Sequence, residues 1–227
     1  GHTKVGGVAA YASVLDVPDD VALAIVAVPA TRLAETLQQC IDKRVRGAVV
    51  VTTVAGLGDE IDTTAIVAHA RRSGLRIIGP GSMGIASPRA DVALQASLAD
   101  VPLTPGNVAI SMQSGTLGIA LLRLAAQLQL PISWFVSLGD KADVSGNDLL
   151  QFWEDDEATQ VIAIYTESLG NPRKFARIAR RVSRTRPIVA VRTGAALIGA
   201  GNEAMYRDTG VIEVPTVASM LDTARVL

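Results

Sequence analysis

The chain has 227 residues, 49% of them hydrophobic, and its 21 basic and 22 acidic side chains give a formal charge of −1. A chain of this size can bury a full core and has room for two domains. The near-neutral balance supplies no broad positive field for nucleic acid or an anionic membrane surface. One cysteine excludes an internal disulfide framework, and with no run of 18 apolar residues and no signal peptide the expectation is a cytoplasmic protein.

The opening GHTKVGGVAAY is loop-like with no strand ahead of it, and reads as a start inside a domain. From there, short Val- and Ile-rich runs alternate with helical segments, the pattern of an α/β protein with parallel sheets buried on both faces. Strands are expected near 22–28, 47–52, 75–78, 107–111, 131–136, 160–165, 187–191 and 211–214. Helices are expected near 31–44, 60–73, 116–129, 147–155, 171–185, 202–208 and 216–226. Cys40 falls inside the first helix and reads as core packing. The stretch from Ser87 to Asn107 carries three prolines without clear periodicity, so it reads as a linker or strand-poor crossing. That places a domain boundary there, with one domain over 1–103 and another over 104–227. The first shows only three confident strands, fewer than a complete doubly wound unit, whereas the second repeats strand and helix as a flavodoxin-like layer does. In the helix near 171–185, Phe175, Ile178, Ala179 and Val182 form an apolar stripe. Arg173, Arg177, Arg180, Arg181 and Arg184 crowd the other side, either as a solvated face or as a phosphate contact.

The strongest chemical signal is Asn107 to Gly118, NVAISMQSGTLG, a strand running through Ser and Gly directly into a helix. Such a turn aims free backbone N–H groups at one point, where the helix dipole favours an anion. Ser114, Gly115 and Thr116 are the candidate ligands, against the plainer reading that Ser114 or Thr116 caps the helix. A second turn, Gly79-Pro-Gly-Ser-Met-Gly84, follows a short strand, and Thr52-Thr53-Val54 and Val28-Pro29-Ala30-Thr31 follow two others. Together these loops describe a crevice along the carboxyl edge of a sheet, where open α/β folds place ligands. Glu167 follows the strand near 160–165, where a carboxylate can orient a histidine or a substrate. Ser145 to Asp148 is a capping-box pattern. Neither His2 nor His69 follows a strand, and no His/Cys/carboxylate spacing suggests a metal.

Six motifs in order, VGGVAAY at Val5–Tyr11, IVAVPA at Ile25–Ala30, GPGSMG at Gly79–Gly84, SMQSGTLG at Ser111–Gly118, GDKAD at Gly139–Asp143 and YTESLGNPRKF at Tyr165–Phe175, span almost the whole chain. In this the sequence resembles the NDP-forming acyl-CoA synthetases, the family of the succinyl-CoA synthetase α-subunit and ADP-forming acetyl-CoA synthetase. The resemblance implies a Rossmann-like CoA-binding domain, N-terminally incomplete, followed by a flavodoxin-like domain. It implies an acid–CoA ligase that consumes ATP and yields ADP and phosphate, with a histidine shuttling the phosphoryl group. Val28, Pro29, Thr31, Thr52, Thr53 and Val54 would contact CoA, and Pro80, Gly81 and Ser82 would sit near its thiol. Ser114, Gly115 and Thr116 would hold the phosphoryl group, and Glu167 would orient the phosphohistidine. The implied partners are CoA, a small carboxylic acid and an ATP-grasp domain or subunit that binds Mg-nucleotide, in an oligomeric assembly without nucleic acid or membrane.

The sequence departs from the family pattern in three places. No histidine follows His69, so the segment running on from Val191 to Asn202 lacks the phosphorylated residue that relatives carry there. The first strand and its Gly-rich, phosphate-gripping turn are expected before Gly1. Gly81 and Ser82 replace an Asn-Cys pair, and Val54 replaces a glycine. The missing histidine leaves an alternative, a catalytically silent acyl-CoA-sensing module of the kind fused to protein acetyltransferases.

Overall fold

The computed structural model describes residues 4–54, 62–193 and 206–227. A short antiparallel hairpin, β1 (Lys4–Val5) and β2 (Val8–Ala9), opens the chain. Three parallel strands follow, β3 (Leu23–Val26), β4 (Gly47–Val50) and β5 (Arg76–Ile78), connected through helices α1 (Leu33–Asp42) and α2 (Thr63–Arg72). Next come β6 (Gly84–Ser87), β7 (Leu94–Ser97) and β8 (Thr104–Met112), then α3 (Gly115–Gln127), β9 (Pro131–Ser137) and α4 (Gly146–Asp155). The chain ends with β10 (Val161–Thr166), α5 (Pro172–Val182), β11 (Ile188–Arg192), β12 (Ile212–Glu213) and α6 (Val217–Val226).

The larger sheet has the strand order β12-β11-β10-β8-β9-β6-β7. Its five strands from β8 onward are parallel. Their order is that of the doubly wound flavodoxin-like layer, with the topological switch between β8 and β10. Helices α3 and α6 cover one face through Leu121, Leu122, Met220 and Leu221. The other face is covered by α4 and α5, through Leu150, Trp153, Phe175 and Ile178. All four residues of the α5 apolar stripe are buried. On its outer side, Arg181 pairs with Glu154 at 2.6 Å and Arg180 Nε donates to the Asp208 carbonyl. Cys40 lies in the α1–α2 core, and burial pushes its thiol pKa up.

Two segments differ from the expectation. The opening, read as a loop, contains the β1–β2 hairpin, turned by Gly6 and Gly7 at φ +57° and +83°. The stretch from Ser87 to Asn107, read as a linker, contains β7 and the start of β8. β6 and β7 run antiparallel and extend the larger sheet through β9. Sheet membership therefore changes at the turn after β5. The inward side of this edge is polar: Ser87 Oγ donates to the Ser133 carbonyl at 2.7 Å, and Ser133 Oγ lies 2.8 Å from Thr159 Oγ1. Satisfied hydroxyls of this kind are buried without producing an apolar pattern. Of the helix expected near 202–208, residues 202–205 lie outside the described residues, while Tyr206 and Arg207 are helical.

The three-stranded and seven-stranded sheets are joined at Asp143, whose side chain is fully buried. Its Oδ2 accepts from Ile77 N at 2.8 Å and from Arg76 Nε at 2.9 Å, and Arg71 Nε stands 3.1 Å from Oδ1. Next to it, Val144 N donates to the Ile77 carbonyl at 3.0 Å. Replacing Asp143 by Ala leaves the Ile77 amide unpaired, while the two half-exposed arginines can turn to water. The expected cost is about 2 kcal/mol. It should appear as a lower denaturant midpoint at unchanged m, and a loss below about 0.5 kcal/mol would show that the joint does not depend on this carboxylate.

Candidate functional site

The turn from Gly79 to Met83 is fixed from both sheets. Gly81 N and Ser82 N donate to the carbonyls of Thr52 and Val50, while the Gly79 and Pro80 carbonyls accept from Ala142 and Asp140. Glycine is required at 79, where φ is +106° and an added Cβ would overlap the Val50 carbonyl oxygen. It is required again at 139, where φ is +55° and a Cβ would overlap the Pro80 carbonyl. The turn thus presses against the loop after β9, and Met83 packs beside Gly115 at the start of α3.

Ser114 occupies the N-cap position of α3 but makes no side-chain capping bond. The capping alternative for Ser114 is therefore not what the structure shows. The first amides of α3 face a cleft of about 690 Å³ lined by Ser114, Gly115, Thr116, Thr53, Gly81 and Glu167, together with Gln113, Asp140, Lys141 and Ser168. It lies at the carboxyl ends of β8 and β10, the topological switch of the larger sheet.

Gln113 holds this cleft together. Its Oε1 accepts from Glu167 N at 3.0 Å, Ser168 N at 3.1 Å and Lys141 Nζ at 3.3 Å, while Thr166 Oγ1, 3.2 Å away, donates to the Ser168 carbonyl at 2.9 Å. Lys141 Nζ also donates to the Ser168 carbonyl. Its backbone sits in the left-handed region at φ +46°, a strained position for a lysine that persists only where surrounding bonds fix it. Burial pushes the Lys141 ammonium pKa down, opposed by the charge of Glu167, and burial pushes the Asp140 carboxyl up. A helix N-terminus and an ammonium on one side suit a multiply charged anion. The carboxylates of Glu167 and Asp140 suit a proton-carrying group approaching it.

Of the residues singled out from the sequence, Thr53, Gly81, Ser114, Gly115, Thr116 and Glu167 converge on this cleft. The others occupy its surroundings. Thr52 Oγ1 donates to the Val28 carbonyl at 2.6 Å, which ties the first two loops together. Val28 and Val54 pack on the smaller core. Pro29 and Thr31 lie at the short 3-10 turn before α1. The Pro80 carbonyl is bonded to Asp140 N, and Ser82 is fully buried with Oγ donating to the Ser137 carbonyl at 2.6 Å. Ser82 therefore braces the turn from behind.

Residues 105–227 match the succinyl-CoA ligase like flavodoxin domain, and residues 1–88 match the CoA binding domain. The chain belongs to the NDP-forming acyl-CoA synthetase family. It is 34% identical, over 96% of its length, to half of the acetate–CoA ligase (ADP-forming) I subunit alpha of Pyrococcus furiosus. The crystal structure of PH0766 from Pyrococcus horikoshii OT3 matches at TM-score 0.90 and 36% identity, over 98% of this chain and 51% of that one. The dinucleotide forming acetyl-coenzyme A synthetase 1 of Ca. Korarchaeum cryptofilum, solved with phosphate and ADP, matches at TM-score 0.90 and 32% identity, over 98% of this chain and 51% of that one. The chain spans about half the length of the Pyrococcus furiosus subunits it matches.

Within the synthetase motifs, sequence reasoning passed over Gln113, Lys141 and Asp140, although SMQSGTLG and GDKAD contain them. Their roles arise from partners far along the chain, as with Gln113 and Glu167, 54 positions apart. The bond pattern predicts that Gln113→Ala frees the Glu167 and Ser168 amides and speeds their hydrogen exchange by about tenfold, corresponding to roughly 1.4 kcal/mol of lost local protection. Unchanged exchange at both amides would mean that the loop is held by something else.

Proposed function

We propose that this chain is the CoA-binding and phosphoryl-receiving part of an ADP-forming acid–CoA ligase, which converts a small carboxylic acid, CoA and ATP into acyl-CoA, ADP and phosphate. The observation that carries the reading is the single cleft at the β8–β10 switch, where Ser114, Gly115, Thr116 and Glu167 meet Thr53 and Gly81 of the CoA-binding segment. In this reading residues 1–103 serve CoA and residues 104–227 serve the phosphoryl group. The amides of α3 hold the phosphoryl oxygens, and Lys141 adds a positive charge. Glu167 is positioned to accept a hydrogen bond from an imidazole and so fix its tautomer.

The residues present suit the reactive end of CoA. Gly81 turns at φ +69° with no side chain in the way, and Thr53 is exposed at the end of the neighbouring strand. Val28, Pro29, Thr31, Thr52 and Val54 extend the CoA surface behind Thr53, and the backbone of Pro80 and Ser82 shapes the thiol end. CoA supplies the thiol that attacks an activated acyl group. Mg-nucleotide is assigned to an ATP-grasp partner in an oligomeric, cytoplasmic assembly. Among the described residues no helix is long and apolar enough to cross a membrane.

Relatives carry the phosphorylated histidine between β11 and the last strand. The corresponding residues, 194–205, contain no histidine and lie outside the described residues. His69 sits on α2 with Nε2 2.8 Å from Gln38 Oε1, on the other unit and away from the cleft. The silent-sensor alternative rests on this missing histidine, while the curated relatives bear ligase names. Incubated with γ-labelled ATP and a complete ATP-grasp partner, this chain is expected to remain unlabelled, because among the described residues no imidazole lines the cleft with Glu167. A second sample receiving a histidine within residues 194–205 should gain acid-labile, base-stable label. Label on the unaltered chain, or none on the altered one, would contradict the assignment of Ser114 to Thr116 and Glu167 as the receiving end.

A further inference from the structure

Away from the cleft, Arg173, Arg177, Arg180, Arg181 and Arg184 line one groove of about 380 Å³ on the outer side of α5, with Ala176 between them. No acidic side chain lines it among the described residues. All five arginines are exposed. Arg181 pairs with Glu154 of α4, and Arg180 Nε donates to the Asp208 carbonyl. The side chains of Arg173, Arg177 and Arg184 have no hydrogen-bond or ion-pair partner among the described residues. Arg173 and Arg177, Arg177 and Arg181, and Arg180 and Arg184 each stand four positions apart, where like charges on a helix repel. The buried stripe of Phe175, Ile178, Ala179 and Val182 keeps α5 in place without them. The groove is therefore a concentrated positive surface that the isolated chain leaves uncompensated.

The spacing of the charges says what fits. Arg173, Arg177, Arg180 and Arg184 follow one another at intervals of four, three and four, the pattern with which one helix runs along another. Arg184 lies on the turn that closes α5, and at the helical rise the row is about 16 Å long. That is too long for a single phosphate. Single-stranded nucleic acid is gripped partly by stacking on aromatic rings, and no aromatic side chain lines the groove. A membrane-surface helix inserts an apolar face, and that of α5 is already buried against the larger sheet. A second copy does not supply the complement, because among the described residues no helix carries more than two carboxylates in this spacing.

We propose that this arginine row is the docking site for an acidic helix of a partner protein, whose carboxylates recur at the same intervals of four, three and four. They pair in turn with Arg173, Arg177, Arg180 and Arg184, each guanidinium offering a planar fork of donors to a carboxylate. Arg181 stays on Glu154 and fixes one edge of the groove. The small side chain of Ala176 leaves room for the partner helix to come close. Each pair is open to solvent and weak alone, so affinity depends on several forming together and falls as salt rises. The proposal stands apart from the ligase reading, since none of these arginines lines the cleft at α3.

The test titrates the full chain at low salt with two Ala-rich helical peptides of about 20 residues, long enough to hold a helix alone. One carries glutamates at intervals of four, three and four, and the other has the same composition with its glutamates spread around the helix. Short-chain polyphosphate, single-stranded RNA and phosphatidylserine vesicles serve as the other probes, and binding is followed by the backbone amide shifts of Arg173 to Arg184. The matched peptide should bind about tenfold more tightly than the scattered one, and more tightly than any of the other three probes. Arg177→Glu and Arg184→Glu should each weaken the matched peptide about tenfold. Both substitutions relieve repulsion between arginines, so the denaturant midpoint of the free chain should not fall, and either variant alone suffices. Equal binding of the two peptides, tighter binding of polyphosphate, RNA or the vesicles, or unchanged peptide affinity in a folded variant would overturn the proposal.

Discussion

The site depends on one oxygen. Gln113 Oε1 has two lone pairs, and three N–H donors from two loops converge on it. The two shortest bonds come from the backbone of Glu167 and Ser168, so the loop after β10 is held at its peptide groups and the Glu167 side chain stays available to the cleft. Lys141 brings in the loop after β9, and Gln113 itself stands between β8 and α3. A carboxylate in its place would offset the charge of the Lys141 ammonium, whereas the neutral amide leaves that charge for the anion site proposed at α3.

The second constraint is the mutual grip of the two sheets. Asp143 fixes β5 to the loop after β9, and the Gly79–Met83 turn is bonded to both sides of that junction. Because Gly139 and the Pro80 carbonyl meet without room for a Cβ, the separation between the Gly79–Met83 turn and the loop after β9 is set by backbone contact. Rigid backbone positioning matters for the proposed function, in which a thiol and an acyl phosphate must meet within reacting distance. Ser82 shows how this is arranged, its hydroxyl turned inward to Ser137 and its own backbone bonded to Val50.

The layers were legible wherever burial is apolar. VIAIYT of β10 is buried at every position, and Phe175, Ile178, Ala179 and Val182 fall on one side of α5 as their spacing requires. The β6–β7 edge was not legible. Its inward positions include Ser87, and the facing strand carries Ser133 and Ser137, so no period-two apolar alternation is available to read. The β1–β2 hairpin escaped for a different reason, because Val5 and Val8 are exposed and its two-residue strands are too short for any pattern. In the site, Ser114, Gly115 and Thr116 could be found because a strand-to-helix turn is a local feature. Gln113, and Asp143 at the joint between the sheets, could not, because each matters through contacts that only the folded chain creates.

The central claim is that CoA and the phosphoryl group meet in the cleft between the Gly81 turn and the start of α3. A crystal structure of the chain grown with CoA and phosphate tests it most directly. The account predicts phosphate on the amides of Ser114, Gly115 and Thr116, with the CoA thiol reaching it past Gly81 and Thr53. Phosphate bound instead along the arginine face of α5, with the thiol outside the cleft, would contradict it.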